Sequence, residues 1–341
     1  MSIKKLIVLA GIVIIAVFFL AACAGATGPA GVAGPAGPAG PAGATGPAGA
    51  PPKSTDLTCT QCHNDTTLIS GPQTSWSTSV HATGIAFGIA GTRSTCTGCH
   101  TGVGFSDRMA AAQTNPDKFT TVYANPTRID CRACHNIHTT YTKDDFSLKT
   151  TAAVPLYALT GATYDGGMGN LCANCHQPRT AIPAAAADGT INVDSTHWGA
   201  HHGPEAAMLM GVGGSPDVAG VPSSHYKTVT DTCVACHMGG EAVNHTYVPN
   251  VAYCQTCHAG AKDFDMKGAV TALDKKIAEV KTALTTAGLF DAQGNIVVGS
   301  YPAPKASALW NYLLVTEDKS HGVHNMDYAN ALMDAALAAF K

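Results

Sequence analysis

The clearest helical rhythm of apolar positions lies near the C-terminus. Val270, Leu273, Ile277, Val280 and Leu284 recur every three or four residues, which predicts an amphipathic helix stopping at Gly288. Asp291 to Asn295 reads as a turn, and Lys305 to Glu317 predicts a second helix. Asn325 is placed to cap a last helix reaching Phe340. Upstream, Pro204 and Glu205 suit the start of a short helix through Ala206 to Met210. The stretch from 51 to 260 is otherwise expected to have little sheet and much irregular backbone.

The N-terminal pattern is of another kind. Lys4 and Lys5 precede an unbroken apolar run from Leu6 to Leu20, and Leu20-Ala21-Ala22-Cys23 has the form of a bacterial lipobox. The reading is a signal peptide over 1–22, cleaved so that Cys23 takes a lipid. An uncleaved membrane helix competes with it, because Leu6 through Ala26 is long enough to span a bilayer. Glycine then occupies every third position from Gly25 to Gly49, with proline following five of these glycines, a collagen-like period. A trimerising triple helix and an extended tether of roughly 80 Å, at about 3.1 Å per residue, both fit, and the tether is preferred.

Between these ends one five-residue motif, Cys-x-x-Cys-His, occurs six times. Its copies are Cys59, Cys62 and His63; Cys96, Cys99 and His100; Cys131, Cys134 and His135; Cys172, Cys175 and His176; Cys233, Cys236 and His237; and Cys254, Cys257 and His258. The spacing puts two thiols on one side of a helical turn, where they can form thioethers with the two vinyl groups of one porphyrin. The histidine then sits beneath the iron. A zinc site or a redox dithiol would explain CxxC alone, but neither explains a histidine after every copy. Twelve of thirteen cysteines are thereby assigned to six covalently bound haem c groups, and Cys23 is the thirteenth.

Composition adds to this picture. The 45% hydrophobic share is largely alanine and the N-terminal run, and aromatic residues are only 6%. With so few large apolar side chains, the macrocycles themselves are expected to supply much of the interior. The net charge of −3 gives no basis for nucleic-acid binding. Each iron needs a sixth ligand, and nine histidines stand outside the motifs. The distal set expected from local context is His81, His138, His202, His225, His245 and His324; His197, His201 and His321 are the remainder. His201 or His197 can replace His202, since His201 and His202 point to different sides. His135 and His138 leave one turn together and can serve two neighbouring haems.

The motifs, the His-Trp-Gly-Ala-His-His-Gly-Pro-Glu stretch from His197, the Asn-His-Thr-Tyr run at Asn244 and the Ser-His-Gly-Val-His-Asn segment at Ser320 resemble the multihaem c-type cytochromes on the outer surface of metal- and sulfur-reducing bacteria. The resemblance covers roughly 55–341 and implies a mostly irregular and α-helical chain wrapped around stacked, mostly bis-histidine haems. It also implies electron conduction to extracellular acceptors or partner cytochromes. The expected organisation is a signal peptide over 1–22, a lipidated cysteine and tether over 23–54, a hexahaem region over 55–263 and a C-terminal helical segment over 264–341 that supplies a distal histidine. Membrane contact would come through the N-terminal lipid, at the outer membrane, and a homo-oligomer through the collagen-like segment. A reductase of nitrogen or sulfur oxyanions and a filament subunit are the alternatives. The first needs an open iron, which a surplus of histidines argues against, and the lipobox and tether depart from the secreted filament subunits of that family.

Overall fold

The computed structural model describes His63, 69–239 and 244–341, all within one compact unit, Pro52–Lys341. The signal segment, Cys23, the Gly-x-y tether, Cys59 and Cys62 lie outside the described residues.

From 69 to 260 the regular elements are short. They are α1 (Ser70–Ser77), α2 (Val80–Thr83), α3 (Ala86–Ala90), α4 (Thr97–His100), α5 (Gly102–Ala110), α6 (Cys131–Cys134), the strands β1 (Val154–Pro155) and β2 (Thr163–Tyr164), α7 (Asn170–Ala173), β3 (Thr190–Val193), α8 (Glu205–Met210), α9 (Ser224–Thr228), α10 (Thr232–His237) and α11 (Val251–Cys254). The longest of these helices has nine residues. Side-chain caps hold several of them. Ser79 accepts from the Ala82 amide to start α2, Thr101 from Gly104 to start α5, and Asp130 from Arg132 to start α6. Gly104 is obligatory at its position, because a Cβ there would lie 2.3 Å from the Thr97 carbonyl oxygen, and only glycine lets α5 turn so closely off α4.

After residue 264 the chain becomes regular. The helices α12 (Ala269–Thr286), α13 (Ala303–Glu317) and α14 (Met326–Ala338) pack on one another, with strand β4 (Gly299–Pro302) leading into α13. The predicted face of α12 is the buried one: Leu273, Val280 and Leu284 are fully enclosed, and Ile277 packs at the edge. Asn325 caps α14 by accepting from the Tyr328 amide, and its amide group donates to the carbonyls of Met208 and Val221. The Asp291 carboxylate holds the predicted turn by accepting from the Asn295 amide.

Sheet is minimal among the described residues. β1 pairs antiparallel with β2, and β3 with β4 in the register Thr190↔Pro302 to Val193↔Gly299. This second pairing ties the region before 264 to the C-terminal helices. Ile191, Val193, Trp198 and Met208 enter the same core as Leu309, Trp310, Leu314, Leu332 and Met333, and the Trp198 and Trp310 rings meet edge to face at 5.2 Å. Two smaller apolar clusters lie elsewhere, one around Leu156 and Tyr164 and one around Phe105 and Leu171. The architecture is therefore mostly helical and irregular, with the apolar core concentrated at the C-terminal end.

Candidate haem-binding centres

Each described motif is wound into a single helical turn. The histidine amide donates to the carbonyl of the first cysteine at His100, His135, His176 and His258, over 2.7–3.0 Å. In the fifth motif the same turn lies inside α10. An i to i−4 bond of this kind places the two thiols on one side and aims the imidazole along the same face. No disulfide joins the described cysteines, which are free.

Every motif histidine faces a second imidazole. The ring centroids are 6.1 Å apart for His63 and His138, 6.2 Å for His81 and His176, and 6.0 Å for His100 and His201. They are 6.3 Å apart for His135 and His245, 6.1 Å for His225 and His258, and 6.3 Å for His237 and His324. Two imidazoles on one metal, with bonds of about 2.0–2.1 Å and roughly 1.1 Å from nitrogen to ring centre, have centroids about 6.2–6.4 Å apart. Six unconnected contacts clustering at this separation match rings placed either side of an iron. Contacts of these histidines with tyrosines spread more widely, from 4.8 Å for His81 and Tyr247 to 6.3 Å for His245 and Tyr247.

The second ring nitrogen decides which one is left for a metal. Nδ1 of His135 meets the Phe146 carbonyl at 2.7 Å, that of His237 the Tyr247 carbonyl at 2.8 Å, and that of His225 the Val323 carbonyl at 2.9 Å. Carbonyls only accept, so Nδ1 carries the proton in each and Nε2 keeps its lone pair. Two others meet carboxylates: His176 bonds Glu205 at 3.1 Å and His324 bonds Asp318 at 2.7 Å. Glu205 raises the His176 imidazole to about 9. At His324 burial works the other way, but Asp318 outweighs it and the value also rises to about 9. Burial, reinforced by His176, lowers His81 to about 4, and burial with His202 lowers His201 to about 4. At these two rings burial favours the neutral form, the one that ligates. Nδ1 of His81 is buried and without a hydrogen-bond partner, so a metal on its other nitrogen would use the ring without disturbing an existing bond.

The centres are joined by side chains. The thiols of Cys99 and Cys175 lie within hydrogen-bond reach of each other, as do those of Cys172 and Cys233. Arg108 is wholly buried, donating to the Gly98 carbonyl at 3.1 Å and the Asn174 carbonyl at 3.0 Å. It thus clamps the second motif to the fourth with carbonyls as acceptors. Tyr247 meets His81 edge to face, lies 6.3 Å from His245 and offers its carbonyl to His237. Sequence reading missed both residues, since neither an arginine on a short helix nor a tyrosine in a loop carries a local signature of bridging.

Five of the six expected distal histidines stand opposite a motif histidine: His81, His138, His225, His245 and His324. His202 does not. Its neighbour His201 faces His100, while His202 is exposed and bonds Glu317 through Nδ1 at 2.5 Å. The reason is backbone shape. His201 adopts a left-handed conformation, with φ of 74°, that turns its ring inward, and the chain reverses again at Gly203 before α8. His138, with φ of 63°, uses the same device. The other unpaired histidines also have separate partners, His197 with Thr196 and His321 with Asp274. His135 lies opposite His245 and His138 opposite His63, so the two stand in different ring pairs.

In the five motifs whose cysteines are described, the donor set therefore fits haem c in type and spacing: two thiols on one turn, and two imidazoles about 6 Å apart. No protein-family model matches the chain, and no curated protein matches it. A solved structure, the crystal structure of the outer cell wall cytochrome OcwA, matches with a TM-score of 0.53 and 23% identity, over 79% of this chain and 50% of that one. The chain thus spans about half the length of that cytochrome, and the likeness is one of fold.

Proposed function

We propose that the chain is an electron-transfer cytochrome carrying six haem c groups, held at the cell surface by a lipid on Cys23 and passing electrons to extracellular acceptors or partner cytochromes. The observation that carries this reading is the repeated facing of a CxxCH histidine and a second imidazole at 6.0–6.3 Å. Haem c, when bound, supplies a one-electron Fe(III)/Fe(II) couple. The cysteine pairs would anchor it, and the paired histidines would fill both axial positions. With both positions filled there is no site for a substrate at iron, which favours conduction over reduction of an oxyanion. The carbonyls on His135, His225 and His237 hold those rings in one orientation, so the same ligands serve both oxidation states. The thiol contacts between motifs two and four and between four and five, and the packing of α10 on α11, bring four of the attachment sites side by side. The Gly-x-y tether would hold this body away from the lipid surface, with a homo-oligomer as its other use.

Intact mass of the exported protein tests the cofactor count and the anchor: six haem adducts and a lipidated Cys23 are expected. Fewer adducts, or an N-terminus at Met1, would sink the corresponding part. Electron paramagnetic resonance tests the axial set. His201→Ala should introduce one high-spin ferric centre among six, and His202→Ala should introduce none. The reverse result would restore His202 as the ligand, and a high-spin signal in the unsubstituted protein would favour a reductase.

A further inference from the structure

Glu205 and Asp318 differ from the other acceptors on the paired histidines. A carbonyl bonded to Nδ1 is a neutral dipole, whereas a carboxylate brings a full negative charge to the imidazole edge. Hydrogen bonding to a carboxylate makes an imidazole a more basic ligand, and the charge favours the more positive state of the metal. Asp318 is the stronger case: its side chain is 1% exposed and its bond to His324 is 2.7 Å, against 22% and 3.1 Å for Glu205 and His176. Asp318 also accepts from the Ser320 hydroxyl, which fixes the carboxylate. The partner ring of His324, His237, gives its own Nδ1 proton to a carbonyl, so both ligands of that pair are oriented. The two pairs are neighbours, because the thiols of Cys172 and Cys233, one from each motif, lie within hydrogen-bond reach.

We propose that Asp318 and Glu205 are positioning residues that make the His237–His324 and His81–His176 pairs an adjacent couple of low-potential haem sites, reduced last among the six. The inference rests on the electron-transfer reading above. With haem bound, reduction would take one electron from a one-electron donor; the two histidines of each pair would stay in place, and each Nδ1 proton would stay in its hydrogen bond to the carboxylate. Because Asp318 is the more buried and the closer, its pair is the lower of the two.

Spectroelectrochemical titration of the haem-loaded full chain tests this with Asp318→Asn, Glu205→Gln and a control, Asp274→Asn, which removes the carboxylate from the unpaired His321. Asp318→Asn should lower the Fe(III)/Fe(II) ratio of one of the lowest-potential components about tenfold at a fixed solution potential, an upward shift of about 59 mV for a one-electron couple. Glu205→Gln should raise a second low component by less, and Asp274→Asn should move none. Unchanged potentials in both test variants, or shifts confined to the upper half of the titration, would overturn the inference. Mass and paramagnetic resonance on the same samples keep the two readings apart. Six haems and low-spin iron with no shift refute the tuning alone, whereas fewer than six haems in the unsubstituted protein refutes the reading beneath it. A merely structural role for either carboxylate would appear as haem loss or high-spin iron without an upward shift.

Discussion

The two ends of the described chain bury their surface in opposite ways. In α12, α13 and α14, Leu273, Val280, Leu284, Leu309, Leu314, Leu332 and Met333 are completely enclosed, and Trp310 is nearly so. Each such side chain contributes about 1.5–3 kcal/mol. In α1, α2, α3, α9 and α11 no residue is buried, although His81 and His225 ride on two of these helices. Helices of four to eight residues do not hold themselves in water, where isolated helices below about 12–15 residues are marginal. The contrast teaches that one region is folded by its own apolar side chains. The other is arranged around something else, and facing imidazoles about 6 Å apart indicate what.

Preventing haem attachment should break the comparison most visibly. With the six motifs left unmodified, amide exchange protection should vanish across 69–180 and persist in α12 to α14. Uniform protection, or one cooperative thermal transition of haem-free protein, would mean that a polypeptide core already holds the first region. Next in size is Trp310→Ala, which removes the largest fully buried side chain and its edge contact with Trp198. A loss of about 3–5 kcal/mol is expected by denaturant titration, with six low-spin haems retained, because the damage lies in the apolar region. Arg108→Met sharpens the comparison from the other side. It leaves the Gly98 carbonyl without its Arg108 donor, at about 1–3 kcal/mol for a buried unsatisfied group, and the Asn174 carbonyl with the longer bond from Gln177. The spectral change should be confined to the His100–His201 and His81–His176 pairs. Smallest is Ser79→Ala, which removes the cap of the helix carrying His81. About 0.5–2 kcal/mol should be lost in a melting experiment, without haem loss, because opposing ligands hold His81 more firmly than its helix does.

Much of this organisation is written in short range. A CxxCH turn needs only five consecutive residues, so all six attachment sequences were readable without a fold. The buried stripe of α12 and the Asn325 cap obey equally local rules, the period of a helix and the hydrogen bond of a side chain three residues from its acceptor's donor. Sparse large apolar residues likewise predicted little sheet and a loosely structured first region. Whole-chain contacts lay beyond such rules. β3 meets β4 across more than a hundred residues, which joins the C-terminal helices to the Trp198 segment.

What the sequence determined by itself is which residues can anchor and ligate: twelve motif cysteines, six motif histidines and nine further imidazoles. Only the tertiary structure decided who faces whom. His81 meets His176, and His245 meets His135, over separations that no periodicity spans. Between His201 and His202, adjacent and chemically identical, composition offers no choice. The facing ring is set by one left-handed backbone residue, which brings His201 to His100, while His202 lies exposed with its Nδ1 on Glu317. Covalent chemistry is encoded in neighbours along the chain, but opposition of two rings across a gap is a property of three-dimensional packing, and it exists only once the chain has closed on itself.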